Sequence, residues 1–377
     1  MRIILTSVGR PRIDSANGVE LEIYRIAETL GSLNHEVLVA CVTALPPISI
    51  PAVCVRTFRP HPVPFGMPKG MKNAILSFAP EVVVMSSVYT PFNSRVASWL
   101  RSVGIPYVIR PAGGYGTFNE KVHRWKKVPY RALLELPMLN RAAFVWAIGD
   151  AEDVRRYRTT APIVTTPKGF DLPRLEAGNR AEIEALEGLD NTFLFGFVGR
   201  IDPVHKGLDL ALRGFRQIDD ARTAFALVGP VNSAVKAQLL ATVASSGAAD
   251  RVRFLGPLFG QERDRFLAAI DAFVHTSRWE GGIPYAVIEA AVMEKPLLIT
   301  QQADPSDLLY QSRGCVRVQL DSGSIAQGMR RLMGLSSAER SEMGNRAAKA
   351  IKTGSGWNRM VEAFIQGLRD HRVIRQG

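Results

Sequence analysis

Cysteine is scarce. Cys41, Cys54 and Cys315 are far apart, odd in number and without the spacing of a metal site. That excludes a disulfide framework and a structural zinc, and predicts reduced thiols in a cytoplasmic protein. Long apolar runs are missing as well. The first stretch, Ile3 to Val8, is broken by Gly9, Arg10 and Arg12, well short of the ~18 residues of a membrane span, so neither a span nor a signal peptide is expected. The 32 Gly and 23 Pro follow no fixed period, which excludes collagen-like and coiled-coil architectures. The 46% of hydrophobic residues exclude a disordered chain.

What the chain does have is positive charge, a net +12 that calls for an acidic partner. Residues 1–175 hold 22 Lys or Arg against 12 Asp or Glu, and the remainder holds 25 against 23. The excess therefore sits in the first half. Its densest part runs from Asn119 to Leu136, where Lys121, His123, Arg124, Lys126, Lys127 and Arg131 alternate with Val122, Trp125, Val128, Tyr130, Leu133 and Leu134. Such a basic amphipathic stretch fits an anionic membrane surface, at about 1 kcal/mol per cation, or equally a solvated helix face beside a cleft. No RNA- or DNA-binding motif is present, so nucleic acid is not the expected partner.

At one domain per roughly 100 to 200 residues, 377 residues make two or three domains. Short runs rich in Val and Ile alternate with helix-period segments throughout, the pattern of βαβ units and parallel sheets. Strands are expected at Arg2–Val8, Glu36–Thr43, Val53–Phe58, Glu81–Ser86, Tyr107–Arg110, Phe144–Ile148 and Ile163–Thr166 in the first half. In the second half they are expected at Phe193–Gly199, Ala224–Val228, Val252–Leu255, Ala272–Thr276, Pro296–Thr300 and Val316–Gln319. Two doubly wound sheets fit this number better than one. Leu172 to Asn191, with Pro, Gly and a run of Glu and Arg, reads as the linker, which gives domains over 1–172 and 173–355. Ser336 and Glu339 form a capping box, and a closing helix from Trp357 to Arg372 is expected to pack back on the first domain.

Open α/β sheets bind ligands beyond the carboxyl ends of their strands, so the residues directly after each strand are the informative ones. Gly18 follows the first strand and opens a helix; from the residues alone an ordinary turn explains it better than a ligand site does. Arg200 and Lys206, in Gly199-Arg200-Ile201-Asp202-Pro203-Val204-His205-Lys206-Gly207, would emerge at a strand end and a helix start, where two cations clamp a diphosphate. Glu280 stands at the entrance of a third loop. There Gly281, Gly282 and Ile283 precede Pro284, which suits a first helical turn with N–H groups facing an anion. Glu289 lies in the apolar helix that follows and needs donors, from a ligand or from a neighbouring loop. Arg110-Pro111-Ala112-Gly113-Gly114-Tyr115-Gly116 is the fourth place, either a site of close approach or a flexible loop.

These places, in this order, resemble the retaining glycosyltransferases of family 4 (glycosyl transferases group 1), whose GT-B architecture has two facing Rossmann-like domains. The matches are Gly199-Arg200 with Lys206-Gly207, Val252 to Pro257, and Ser277-Arg278-Trp279-Glu280-Gly281 with Ile288-Glu289-Ala290; Gly18-Val19, His35-Glu36-Val37 and Lys168 to Asp171 match more weakly. The resemblance implies that Arg200 and Lys206 bind the donor diphosphate, that Glu280 with Gly281 and Gly282 binds the donor sugar, and that Glu289 holds the ribose. It also places backbone from Leu255 to Leu258 near the base and the loop before Gly18 near the donor phosphates and the acceptor. Arg200, Lys206 and Glu280 are then the catalytic group, with Ile283 and Pro284 completing the donor site. Two departures stand out: eight residues separate Glu280 from Glu289 where the family has seven, and Ala112 stands where many members carry a histidine.

The implied activity is hexosyltransferase-like transfer from a nucleotide-diphosphate sugar to a glycan or lipid-linked hydroxyl, with retention, in bacterial polysaccharide or glycolipid synthesis. The protein would be cytoplasmic or peripheral at the inner membrane face. No cofactor is implied, and no metal, since no DxD-type carboxylate pair ends a strand. Two alternatives stay open: a nucleotide-binding but catalytically degenerate GT-B protein, and a basic membrane-surface binding module.

Overall fold

The computed structural model describes residues 1–9, 11, 18–63, 66–112, 114–115, 124–148, 151–171, 183, 186–189, 191, 192–244, 247–354 and 356–374. The loop before Gly18, His123, the residues 119–123 of the basic stretch and most of the expected linker lie outside them. Every expected strand is present, with ends differing by at most one residue.

The first sheet consists of β1 (Arg2–Val8), β2 (Glu36–Val42), β3 (Cys54–Phe58), β4 (Val82–Ser86), β5 (Tyr107–Arg110), β6 (Val145–Ala147) and β7 (Ile163–Thr165). Their order is β3-β2-β1-β4-β5-β6-β7, all parallel. Its helices are α1 (Gly18–Ser32), α2 (Met71–Phe78), α3 (Pro91–Ser102), α4 (Arg124–Tyr130), a π-helical turn (Arg131–Glu135), α5 (Leu136–Leu139) and α6 (Ala151–Arg155). The second sheet holds β8 (Phe193–Val198), β9 (Thr223–Val228), β10 (Val252–Gly256), β11 (Ala272–His275), β12 (Leu297–Thr300) and β13 (Cys315–Val318), again all parallel, in the order β10-β9-β8-β11-β12-β13. Between and after these strands come α7 (Leu208–Phe215), α8 (Ser233–Ala241), α9 (Gly260–Ala269), α10 (Tyr285–Val292), α11 (Leu308–Gln311), α12 (Ser322–Gly334), α13 (Ser337–Gly354) and α14 (Trp357–Asp370).

The chain divides into two compact units, Met1–Gly169 with Ser355–Gly377, and Phe170–Gly354. In each, the strands read as near-continuous apolar runs because helices cover both faces of the sheet. Ile3 and Leu5 of β1 pack with Ile23, Ile26 and Leu30 of α1, whereas Ile4 packs with Met71, Ile75 and Val96 on the opposite face. Met360, Val361, Phe364 and Leu368 of α14 join the first of these faces, where Phe364 stacks on Trp146 at 4.1 Å between ring centres. The second sheet is sandwiched in the same way by two apolar clusters.

Proline reshapes the basic stretch. Pro129 sits inside α4, has no N–H to donate, and is followed at once by the π-helical turn. The capping box forms as expected: the Ser336 N–H donates to Glu339 Oε2 at 2.8 Å, and the Glu339 N–H donates to Ser336 Oγ at 3.3 Å. Among the described residues no helix is long and apolar enough to cross a membrane.

Candidate functional site

The order of the second sheet places its switch point between β8 and β11, from which the chain winds outward in opposite directions. Open α/β folds take ligands at such a point, beyond the carboxyl ends of the strands. The loop after β8 runs through Arg200 to Gly207, and the loop after β11 runs through Thr276 to Pro284. Gly207, at φ 63, lies against the Thr276 carbonyl so closely that a Cβ would come within 2.0 Å of its oxygen. Further bonds stitch the loops together. The Arg278 N–H donates to the His205 carbonyl at 2.9 Å, Thr276 Oγ1 donates to the Gly207 carbonyl at 3.1 Å, and the Arg278 guanidinium forks onto both oxygens of Asp209 at 2.8 and 2.9 Å.

This stitching brings Lys206 and Glu280 together. Lys206 Nζ donates to Glu280 Oε1 at 2.6 Å, and His275 Nε2 reaches the same oxygen at 3.0 Å. His275 ends β11 and is fully buried between Phe197 and Phe273. Burial keeps it neutral, lowering its pKa although the bond to Glu280 pulls the other way. A neutral ring bonded to a carboxylate carries its proton on Nε2. Burial also opposes the charge of Glu280, but the His275 bond and the Lys206 cation outweigh it and hold the carboxyl well below the usual range. Both donors occupy Oε1, which leaves Oε2 as the carboxylate's remaining acceptor.

Arg200 is the exposed member, with 66% of its side chain accessible. Its Nη2 lies 3.2 Å from His205 Nδ1, and His205 Nε2 lies 3.1 Å from the Trp279 carbonyl. Because a guanidinium only donates, Nδ1 is the acceptor and Nε2–H the donor, which fixes the His205 tautomer. The ring stacks on Trp279 at 4.5 Å and 2°. Burial first, then the Lys206 charge, lowers the His205 pKa. The site thus holds Lys206 against Glu280, with the exposed Arg200 beside Asp202 at 3.9 Å.

Gly281, Gly282, Ile283 and Pro284 form the lead-in to α10, with Gly282 at φ 124, a conformation that side chains rarely adopt. Pro284 stands one position earlier than expected. It is the N-cap, at ψ 146, and Tyr285 begins the helix, because the proline's extended backbone ends the loop. Leu258 and Ile283 pack on one apolar cluster. Glu289 pairs with Arg263 Nη1 of α9 at 2.8 Å. Gly18 begins α1 in the first unit. Sequence reasoning gave no role to His205, His275, Trp279 or Arg263. The one sequence signal for His275 is a polar residue closing an otherwise apolar strand just before Glu280.

In the first unit Arg110 ends β5 buried, bonded to Glu22 and facing the Trp146 ring at 5.6 Å. Ala112 follows it at φ 51. Beside them Glu135 is fully buried, accepting from Tyr115 Oη at 2.6 Å and from the Tyr89 N–H at 3.3 Å. Burial raises the Glu135 pKa against the pull of these bonds. Among the described residues no group of three or more His, Cys, Asp or Glu is disposed to hold a metal ion.

Residues 192–334 match the family model described as Glycosyl transferases group 1. No curated protein matches the chain. Among solved structures, the chain is similar to sucrose-phosphate synthase from Thermosynechococcus elongatus, with TM-score 0.79, 17% identity and 98% of both chains covered. It is similar to Anabaena Alr3699/HepE in complex with UDP-glucose, with TM-score 0.75, 16% identity, and 98% of this chain and 100% of that one covered. A third is an alpha,alpha-trehalose-phosphate synthase (UDP-forming) from Burkholderia xenovorans in complex with glucose-6-phosphate, with TM-score 0.74, 14% identity, and 99% and 100% covered. The chain has the GT-B fold of two parallel-sheet α/β units, with a glycosyl transferases group 1 domain over residues 192–334.

Proposed function

We propose that the protein transfers a sugar from a nucleoside diphosphate sugar to a hydroxyl of a glycan or lipid-linked acceptor, with retention of configuration. The observation that carries this reading is the convergence of Lys206 and His275 on Glu280 Oε1 at the switch point of the second sheet, next to Arg200. Cleaving the donor develops an oxocarbenium-like sugar and a departing diphosphate, so the largest lever is charge stabilisation on the leaving side. Arg200 and Lys206 supply it, at typically ~10²-fold or more per interaction. Glu280, through Oε2, accepts hydroxyls of the donor sugar, and Glu289 those of the ribose. A phosphate oxygen of the leaving group takes the acceptor proton on the face it has just left, which retains the configuration. Two of the similar structures contain UDP-glucose or are UDP-forming, so a UDP-sugar is the first donor to try.

A thermal-shift panel of UDP, GDP, ADP and their sugar conjugates against wild type and Lys206→Ala tests the reading. Stabilisation by one nucleotide class that the variant loses supports it. No shift with any nucleotide at millimolar concentration overturns it.

Ala112, left-handed and without a titratable side chain, favours a second reading, a nucleotide-binding protein that has lost transfer. Hydrolysis of the bound UDP-sugar separates the two, since a degenerate site releases no sugar. The exposed Trp125, Val128 and Leu133, spaced along α4 and the π-helical turn, support attachment to an anionic membrane surface. Co-sedimentation with phosphatidylglycerol vesicles that Trp125→Ser abolishes is the expected result.

A further inference from the structure

We infer that the first unit binds an anionic acceptor, a sugar carrying a phosphate or carboxylate, in a groove between the loop after β3 and the first turns of α3. The inference rests on the proposed transfer for the word acceptor and deepens it by naming the acceptor's charge. The groove has a volume of about 590 Å³ and is lined chiefly by His61, Lys72, Ser94, Arg95, Ser98 and Leu134. A cavity of this size accommodates a hexose phosphate.

Its position follows from topology. The loop carrying His61 leaves the carboxyl end of β3, and α3 follows β4, so the groove lies on the edge of the sheet where open α/β folds take ligands. Three cationic or protonatable side chains reach it from three separate elements: His61 from the loop, Lys72 from α2 and Arg95 from α3. Among the described residues no carboxylate lines it. Several guanidinium groups elsewhere have carboxylate partners: Arg110 has Glu22, Arg278 has Asp209, Arg263 has Glu289 and Arg317 has Asp307. Arg95 and Lys72 make no ion pair among the described residues; Lys72 Nζ instead lies 5.7 Å above the Trp99 ring. Like charges gathered on a concave surface without a counter-ion repel one another, and a bound anion relieves that repulsion.

The chemistry matches an oxyanion attached to a sugar. Arg95 offers the planar fork that fits phosphate or carboxylate oxygens, and Lys72 a point charge beside it. Ser94 and Ser98 stand one turn apart on α3, and Ser94 Oγ is held 3.1 Å from Tyr130 Oη, which places hydroxyls for neighbouring sugar oxygens. His61 Nδ1 accepts the Val63 N–H at 3.1 Å, leaving Nε2 as its remaining donor.

Calorimetric titration of the full chain with glucose 6-phosphate, inorganic phosphate and glucose tests the inference on wild type, Arg95→Gln, Lys72→Gln and the control Lys349→Gln on α13. UDP binding is measured on the same samples. The expected result is binding of glucose 6-phosphate that weakens at least tenfold in Arg95→Gln and in Lys72→Gln, with the control unaffected and glucose much weaker throughout. Wild-type affinity in both variants, an equal loss in the control, or no binding of either anionic probe to wild type or vesicles overturns it. Binding of phosphatidylglycerol vesicles that both variants lose, with no soluble sugar phosphate bound, supports the site and assigns its anion to a lipid-linked headgroup. UDP that fails to bind while glucose 6-phosphate behaves as expected sinks the donor reading and leaves the groove standing.

Discussion

Glu280 holds its charge because two donors share one of its oxygens, and the consequences follow the sign of that shift. A carboxyl depressed in the folded state contributes stability above its unfolded value near 4.5, and that contribution is lost as pH falls through the folded value. His275→Leu removes one donor, so the acid limb of donor binding should move to higher pH while Lys206 keeps some ionisation in place. Binding titrations carried well below pH 4 measure it, and a limb unmoved there denies His275 a positioning role. Glu135 has the opposite sign. Its folded pKa is raised, so its charge costs nothing below the unfolded value and a growing amount as pH rises through the folded one. Gln keeps an acceptor for Tyr115 and Tyr89 without the charge. The melting temperature of Glu135→Gln relative to wild type should therefore be more favourable at pH 8 than at pH 5. Gly207→Ala should cost about 3 kcal/mol in urea melts, since it forces a side chain to φ 63 and into the Thr276 carbonyl. Arg200, Lys206 and Glu280 were legible because each stands just beyond a strand that the apolar runs mark. His275 was not, since a histidine closing a buried strand reads as core until its bond partner is placed. Glu289 reached Arg263, a partner on another helix that no helical period points to.

Elements were legible wherever one residue type governs them. The parallel strands announced themselves as apolar runs, and the capping box fixed where α13 begins; Ser336→Ala should cost it about 1 kcal/mol in the same melts. The stretch around Pro129 was harder to read. The missing N–H gives way to a π-helical turn, which shifts the register of every later side chain. That turn leaves Leu133 74% exposed and Glu135 fully buried two positions on. In α14, Phe364→Ala should cost about 3 to 5 kcal/mol, because it empties the space against Trp146 and Phe144.

For the whole molecule, the two sheets and their parallel order were implied by the alternation of strands and helices, whereas the close approach of loops after β8 and β11 depended on Gly207 and on Arg278 reaching Asp209. Each unit has its own apolar clusters. A calorimetric scan should therefore show two transitions, with Phe364→Ala lowering only one of them and a nucleotide raising only the other; a single transition that both changes move together would show the units to be one cooperative body.

The route of the chain also orders its synthesis. The second unit is inserted between β7 and α14 of the first. On the ribosome the later-made unit is complete once Gly354 has emerged, while the earlier-made one still lacks the helix whose Phe364 covers Trp146. The N-terminal sheet must wait, with part of one apolar face open, for some 185 residues of Phe170–Gly354 to be made, about 10 to 40 s at ~5–20 residues per second. Chaperone demand during expression should accordingly fall on the first half of the sequence rather than on the half translated last.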